Sequence, residues 1–282
     1  MIRQKFVKPQ AFAALLCLTG IAPATATTIS DFNNWNQFQH PAHVGMTGVV
    51  DSASQITLTA SGPVPAGTDI GYHSVDGITT ANSTSGFYFS ATQDFSIAVD
   101  FSVASASSIG LAAIGFGVGE DDQGSNVAGA VLGILNGTVR GFSAGARTNG
   151  VTNIALPPIF TPSLSSGRLF VSYESITGDI IAGLSGVVGS AAPTATVTLS
   201  GQQNSWNDQD LLVSLFLRSD GIIFPPFNVP PLQAGTLTTV LSDFEVLAGT
   251  PVSAVPLPAA AWLFGAALIG FAILTRRSDY AG

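Results

Sequence analysis

An all-β protein, two antiparallel sheets packed face to face as a sandwich, is what this 282-residue chain predicts. Three observations lead there. Apolar and polar residues alternate with a period of two in several separate stretches, which places one set on each face of a strand. Asn-Gly, Thr-Gly and Asp-Gly pairs fall between those stretches and offer the positive-φ residues that tight hairpins need. No stretch between the two chain ends repeats with a period of 3.6, so long helices are not expected.

Taken in order, Ser54 to Ser61 sets Ile56, Leu58 and Ala60 against Gln55, Thr57 and Thr59. Phe95 to Val103 turns Phe95, Ile97, Val99, Phe101 and Val103 inward. Asn136-Gly137 joins Val127–Leu135 to Thr138–Arg147, and Asn149-Gly150 closes the second of these. Thr177-Gly178 joins Arg168–Glu174 to Asp179–Val188, and Asp220-Gly221 follows Arg218. Arg168 to Tyr173 and Leu211 to Leu217 are densely apolar, as central strands are. Glycines at 110, 115, 117, 119, 129, 133, 141 and 145 lie in or beside apolar strands, where they allow bends and a close approach of two sheets. No fixed-period repeat suggests a solenoid or propeller.

Composition narrows the function. Charged residues are 9% of the chain, against about 25% in an ordinary globular protein, and the formal net charge is −8. A nucleic-acid partner is not expected, because no basic stripe is present to neutralise phosphates. Three histidines and one cysteine leave little material for a metalloenzyme or a thiol nucleophile.

Both ends read as targeting segments. Arg3, Lys5 and Lys8 precede the apolar Ala11–Ala22, and Ala24-Thr25-Ala26 supplies a small-x-small cleavage site, so residues 1–26 read as a signal peptide cut by signal peptidase. Leu16 before Cys17 is too large for a lipidation box. Residues 27–248 form the sandwich domain, 249–258 a proline-containing linker, 259–275 a membrane-spanning helix and 276–282 a basic cytoplasmic tail. The span is short but sufficient if tilted. Arg276 and Arg277 hold its end in the cytoplasm, and the residues before it lie across the membrane. Between the terminal segments stand four arginines, Arg140, Arg147, Arg168 and Arg218, with no lysine.

Val255-Pro256-Leu257-Pro258-Ala259, the apolar span and Arg276-Arg277 together resemble the PEP-CTERM class of sorting tails, in the variant whose motif reads Val-Pro-Leu-Pro-Ala. That resemblance covers about the last 28 residues. It implies recognition by exosortase in the membrane, cleavage near the motif, and release of the body to the cell surface or the extracellular polysaccharide of a biofilm. A plain anchor that is never cut is the alternative. The order of features in the body resembles the concanavalin-like jelly roll, which would bring residues 29–38 beside the closing strand 236–247.

The expected role is structural and non-enzymatic, with exopolysaccharide as a possible partner. Glu120, Glu174 and Glu245 form no inward pair of the kind that glycoside hydrolysis needs, although a hydrolase remains a rival. The other rival is a carbohydrate-binding or adhesive module using Trp206, Asp208 and Asp210. No cofactor is required. Asp121 and Asp122 beside Glu120 and Asn126, and Asp208 and Asp210, are weak candidates for oxygen ligands to Ca²⁺. His40 and His43 lack an evident third ligand, and His73 stands alone. Trp35 and Trp206 can stack on sugars or sit in the core.

Overall fold

The computed structural model describes residues 31–121, 124–154, 159–206, 210–224 and 227–253. The signal peptide, the Val255–Ala259 motif, the expected membrane span and Arg276-Arg277 lie outside them. Among the described residues no helix is long and apolar enough to cross a membrane. The helical content there consists of three single 3₁₀ turns, at Phe32–Asn34, Thr80–Asn82 and Gln203–Ser205.

Nineteen strands are described: β1 Asn36–His40, β2 Met46–Ser52, β3 Gln55–Ser61, β4 Thr68–His73, β5 Phe87–Tyr88, β6 Phe95–Ile109, β7 Leu111–Gly119, β8 Val127–Leu135, β9 Thr138–Thr148, β10 Val151–Ile154, β11 Ile159–Leu164, β12 Ser166–Glu174, β13 Asp179–Ser185, β14 Ala195–Leu199, β15 Leu212–Asp220, β16 Ile222–Phe224, β17 Phe227–Val229, β18 Ala234–Ala248 and β19 Val252–Ser253. The first sheet runs β1-β4-β15-β7-β8-β9-β10, with β11 also on β9. The second runs β14-β13-β12-β6-β18-β3-β2. Every pairing within the two sheets is antiparallel. This is a two-sheet antiparallel sandwich of the jelly-roll kind.

The alternation read from the sequence is the reason for the layers. Ile56, Leu58 and Ala60 of β3, and Phe95, Ile97, Val99 and Phe101 of β6, are buried between the sheets. Ile114, Phe116 and Val118 of β7 meet them from the first sheet as part of one core. Phe89 and Phe95 stack at 4.2 Å, and Trp35 packs edge-on against Phe32, Phe87 and Phe244. The Asn136-Gly137 and Asn149-Gly150 turns have positive φ at both positions and close the β8–β9 and β9–β10 hairpins. Gly178 does the same for β12–β13.

Three sequence expectations are corrected. The closing strand β18 pairs with β3 and β6, while β1 pairs with β4 at the edge of the other sheet. Trp35 meets β18 through a ring contact across the core, on Phe244 at 5.3 Å. Asp220-Gly221 is no positive-φ turn; the chain runs on from β15 into the β16–β17 hairpin. Finally, the glycines of β7 do not bring the sheets together. Ile114, Phe116 and Val118 point into the core, so Gly115, Gly117 and Gly119 share the opposite, outer face.

The outer face of the second sheet carries an ion cluster in which Arg168 and Asp100 are buried and Glu245 is exposed. Arg168 of β12 reaches Glu245 at 2.6 Å and Asp100 at 3.6 Å, and Asp100 also accepts the Gly189 N–H. Beyond Ala248, β19 pairs with β5 inside the stretch read as linker.

Candidate functional site

The outer face of the first sheet is where unusual chemistry collects. Strand register places its residues in rows running across the strands. One row is Phe38, Gly71, Phe216, Gly115, Val131 and Ser143; the next is Asn36, His73, Ser214, Gly117, Gly129 and Gly145. A third holds His40, Asp69, Arg218, Ala113, Gly133 and Gly141. Arg147 and Thr152 stand beside Val127 and Gly119 at the far side.

Glycine makes this face a trough. A side chain on Gly129 would overlap the Phe116 carbonyl oxygen and the Gly117 Cα, so the backbones of β7 and β8 approach where no Cβ fits. Gly141 has open space above it. The Phe216 ring lies across Gly115, and a Cβ on Gly71 would come within 2.6 Å of the Phe38 ring. Both rings are half-buried. The Phe38 ring stacks with His73 at 5.2 Å and with His40 at 5.5 Å. A shallow cleft of about 120 Å³ runs over this floor, lined by Gly117, Gly129, Gly145, Arg147, Phe216 and Arg218 among others. Small-molecule pockets are typically about 300–1,000 Å³, so this shape suits an extended chain lying across the strands better than an engulfed ligand.

Polar atoms on the same face are left without partners. His40 Nε2, Asp69 Oδ1, Arg147 Nε and Arg218 Nε are buried and make no hydrogen bond among the described residues. Buried polar atoms in folded proteins are nearly always hydrogen-bonded. Four unsatisfied ones on one face mark a place where water or a ligand's polar groups complete the shell. Arg218 lies 3.5 Å from Asp69 and 3.9 Å from Asp220. Burial pushes the Asp69 carboxyl above its ordinary range, opposed by the Arg218 charge.

Of the residues singled out in the sequence, His40 and His73 stand on this face, while Trp35 and Trp206 fall elsewhere. Trp206 is 6% exposed, and both it and Trp35 belong to the core, which leaves neither ring an open face for a sugar. Asp210 is half-buried and its carboxyl is pushed upward by burial. Asp121 accepts the Ser125 N–H at 3.1 Å, and Glu120 accepts the Asn126 amide at 2.7 Å. Asp122 and Asp208 lie outside the described residues. Among the described residues no three His, Cys, Asp or Glu side chains converge as metal ligands. His43 Nδ1 accepts the Gly45 N–H and does not join His40.

Sequence reasoning missed Phe38, Phe216, Arg147 and Arg218. The signal was present: glycines at 115, 117 and 119, at 129 and 133, and at 141 and 145 all keep an even spacing. Even spacing on a strand means one face, and apolar residues at the positions between them mean that the glycine face looks outward.

No family model matches the chain, and no curated protein does. Among solved structures it is similar to a Bacillus licheniformis β-glucanase, at 10% identity and TM-score 0.41 over 76% of this chain and 99% of that one. It is similar to an alginate lyase from Pseudomonas aeruginosa, at 11% identity and TM-score 0.42 over 78% and 99%. An endo-1,3-β-glucanase from Streptomyces sioyaensis aligns at 13% identity and TM-score 0.37 over 76% and 91%. These likenesses stop at the sandwich architecture.

Proposed function

We propose that this protein is exported, sorted by exosortase through its C-terminal tail, and delivered to the cell surface or extracellular matrix as a non-catalytic module that binds polysaccharide. The observation that carries the binding reading is the glycine-floored trough with the half-buried Phe216 ring among the residues that line it. Sugar-binding surfaces combine an apolar aromatic face with a few placed polar groups, and this face holds both. This reading takes the outer face of the first sheet as the site in place of Trp206 and the Asp208/Asp210 loop, because Trp206 is part of the core.

The non-catalytic part rests on the carboxylates. Glycoside cleavage uses two acids about 5–9 Å apart, one of them free to hold and give a proton. Among the described residues the acids at the trough are Asp69 and Asp220, and both face the single guanidinium of Arg218. The sorting part rests on Val255–Ala259, the apolar span and the arginine pair.

Two measurements test the proposal. Wild type is expected to be retained on immobilised bacterial exopolysaccharide, and Phe216→Ala to elute early with an unchanged melting temperature; equal retention of the two removes this face as the site. Mass spectrometry of the protein from membranes and culture fluid is expected to find a start at Thr27 and an end near Val255–Ala259. An intact C-terminus in both fractions leaves a plain anchor and ends the exosortase reading.

A further inference from the structure

The trough is also where the cations of this acidic protein are spent. Between its terminal segments the chain has four arginines and sixteen carboxylates. Arg168 is buried beside Asp100 on the other sheet and pairs with the exposed Glu245, and Arg140 donates to the Ser163 hydroxyl. The remaining two, Arg147 and Arg218, both line the cleft.

Neither is fully used. Among the described residues Arg147 has no ion-pair partner; its Nη2 donates to the Gly150 carbonyl at 3.3 Å and its Nε is unbonded. Arg218 contacts its two aspartates only at 3.5 and 3.9 Å, with Nε again unbonded. A committed guanidinium–carboxylate pair closes to about 2.7–2.9 Å. Arg147 is on β9 and Arg218 on β15, with β7 and β8 between them. Three inter-strand steps of about 4.8 Å, with a six-residue offset of about 3.3 Å per residue along the strands, set the two backbone positions about 25 Å apart on a diagonal over the glycine floor. An extended chain with repeated negative groups can reach both ends, whereas a small anion reaches one.

We propose that the ligand is an acidic polysaccharide, a uronate-bearing chain laid across the strands, whose carboxylates are received by Arg147 and Arg218 while a sugar ring rests on Phe216. This deepens the polysaccharide reading given above and rests on it. The guanidinium fork matches a carboxylate with two parallel N–H donors. The rest of the surface, which is acidic, repels the same polymer, so binding is confined to the trough. At about 0.15 M ionic strength charges farther than about 8 Å are largely screened, and the local arginines decide.

The test is calorimetric titration of the exported protein with oligogalacturonates and with neutral β-glucan oligomers of equal length, at about 0.15 M salt with EDTA present. Wild type is expected to favour the acidic oligomer by about tenfold or more, Arg147→Gln to lose about that factor of preference, and Arg147→Lys to fall between. If wild type binds the neutral oligomer as well as or better than the acidic one, the charge inference is overturned and the polysaccharide reading stands. If it binds neither, the polysaccharide reading itself falls. Acidic binding that needs added Ca²⁺ overturns the arginine assignment, as does a preference unchanged in both Arg147→Gln and Arg218→Gln.

Discussion

Gly129→Ala and Gly115→Ala form a matched pair that separates the floor of the trough from its lining. At Gly129 the new methyl would overlap the Phe116 carbonyl oxygen and the Gly117 Cα, which are backbone atoms of the neighbouring strand β7. Backbone cannot turn aside, so strands β7 and β8 must part. Overpacking of this kind costs about 1–3 kcal/mol. For a domain of this size each kcal/mol moves the melting temperature by about 2–4 °C, so a fall of about 2–12 °C is expected. At Gly115 the methyl would meet only the far end of the Phe216 ring. A half-buried ring can rotate off its site for about 0.5–1.5 kcal/mol, leaving stability nearly intact but removing the flat apolar surface. Thermal unfolding followed by near-ultraviolet circular dichroism, with polysaccharide retention in parallel, checks both. A stable Gly129→Ala alongside an unstable Gly115→Ala would refute the claim that bare backbone contact makes this floor.

Two further outcomes follow from charge. Arg168→Gln removes the cation that pairs with Asp100 among the described residues, where Asp100 is 4% exposed, and a buried carboxylate left without its counter-charge costs about 3–5 kcal/mol. Burial, followed by the charges of neighbouring acids, already pushes the Asp100 carboxyl upward against the pull of the Gly189 N–H and Arg168. The ionised form is therefore the disfavoured one in the fold, and the loss in Arg168→Gln, read from urea midpoints, should be greater at pH 7 than near pH 4. Asp76 behaves in the opposite sense. Burial is the largest single influence and raises it, but hydrogen bonds from the Thr84 hydroxyl and the Thr84 and Ser85 N–H groups together bring its carboxyl down to about 2. Its contribution to stability is complete above its ordinary value of 3.8 and disappears as pH falls through about 2. Acid titration of the unfolding midpoint should show a flatter limb in Asp76→Asn.

Much of the fold was legible because strand patterning is local. Ile56, Leu58 and Ala60 alternate with polar neighbours and are buried as read, and the Asn136-Gly137 and Asn149-Gly150 hairpins close where those residues predict. Asp100 and Arg168 show where alternation misleads. Both sit on the polar phase of their strands yet are buried, because Gly189 and its loop fold back over the second sheet's outer face. That loop's destination is set by contacts 89 residues apart, which no local pattern encodes. The site suffered similarly. Trp206 drew attention as an aromatic among polar residues, but in space it belongs to the core.

Residues near one another in the chain were enough to determine a β-sandwich, its tight turns and a body of low charge. Alternation and turn chemistry act over two to four residues, so one-dimensional order carries them. Only tertiary structure decided which strands became neighbours. Strand register then set Phe38 from β1, Phe216 from β15 and Gly115 from β7 in one row, and brought Arg147 and Arg218 to the same cleft from positions 71 residues apart in sequence. Pairing between distant strands depends on the whole core closing at once, so the trough exists only after the chain has folded.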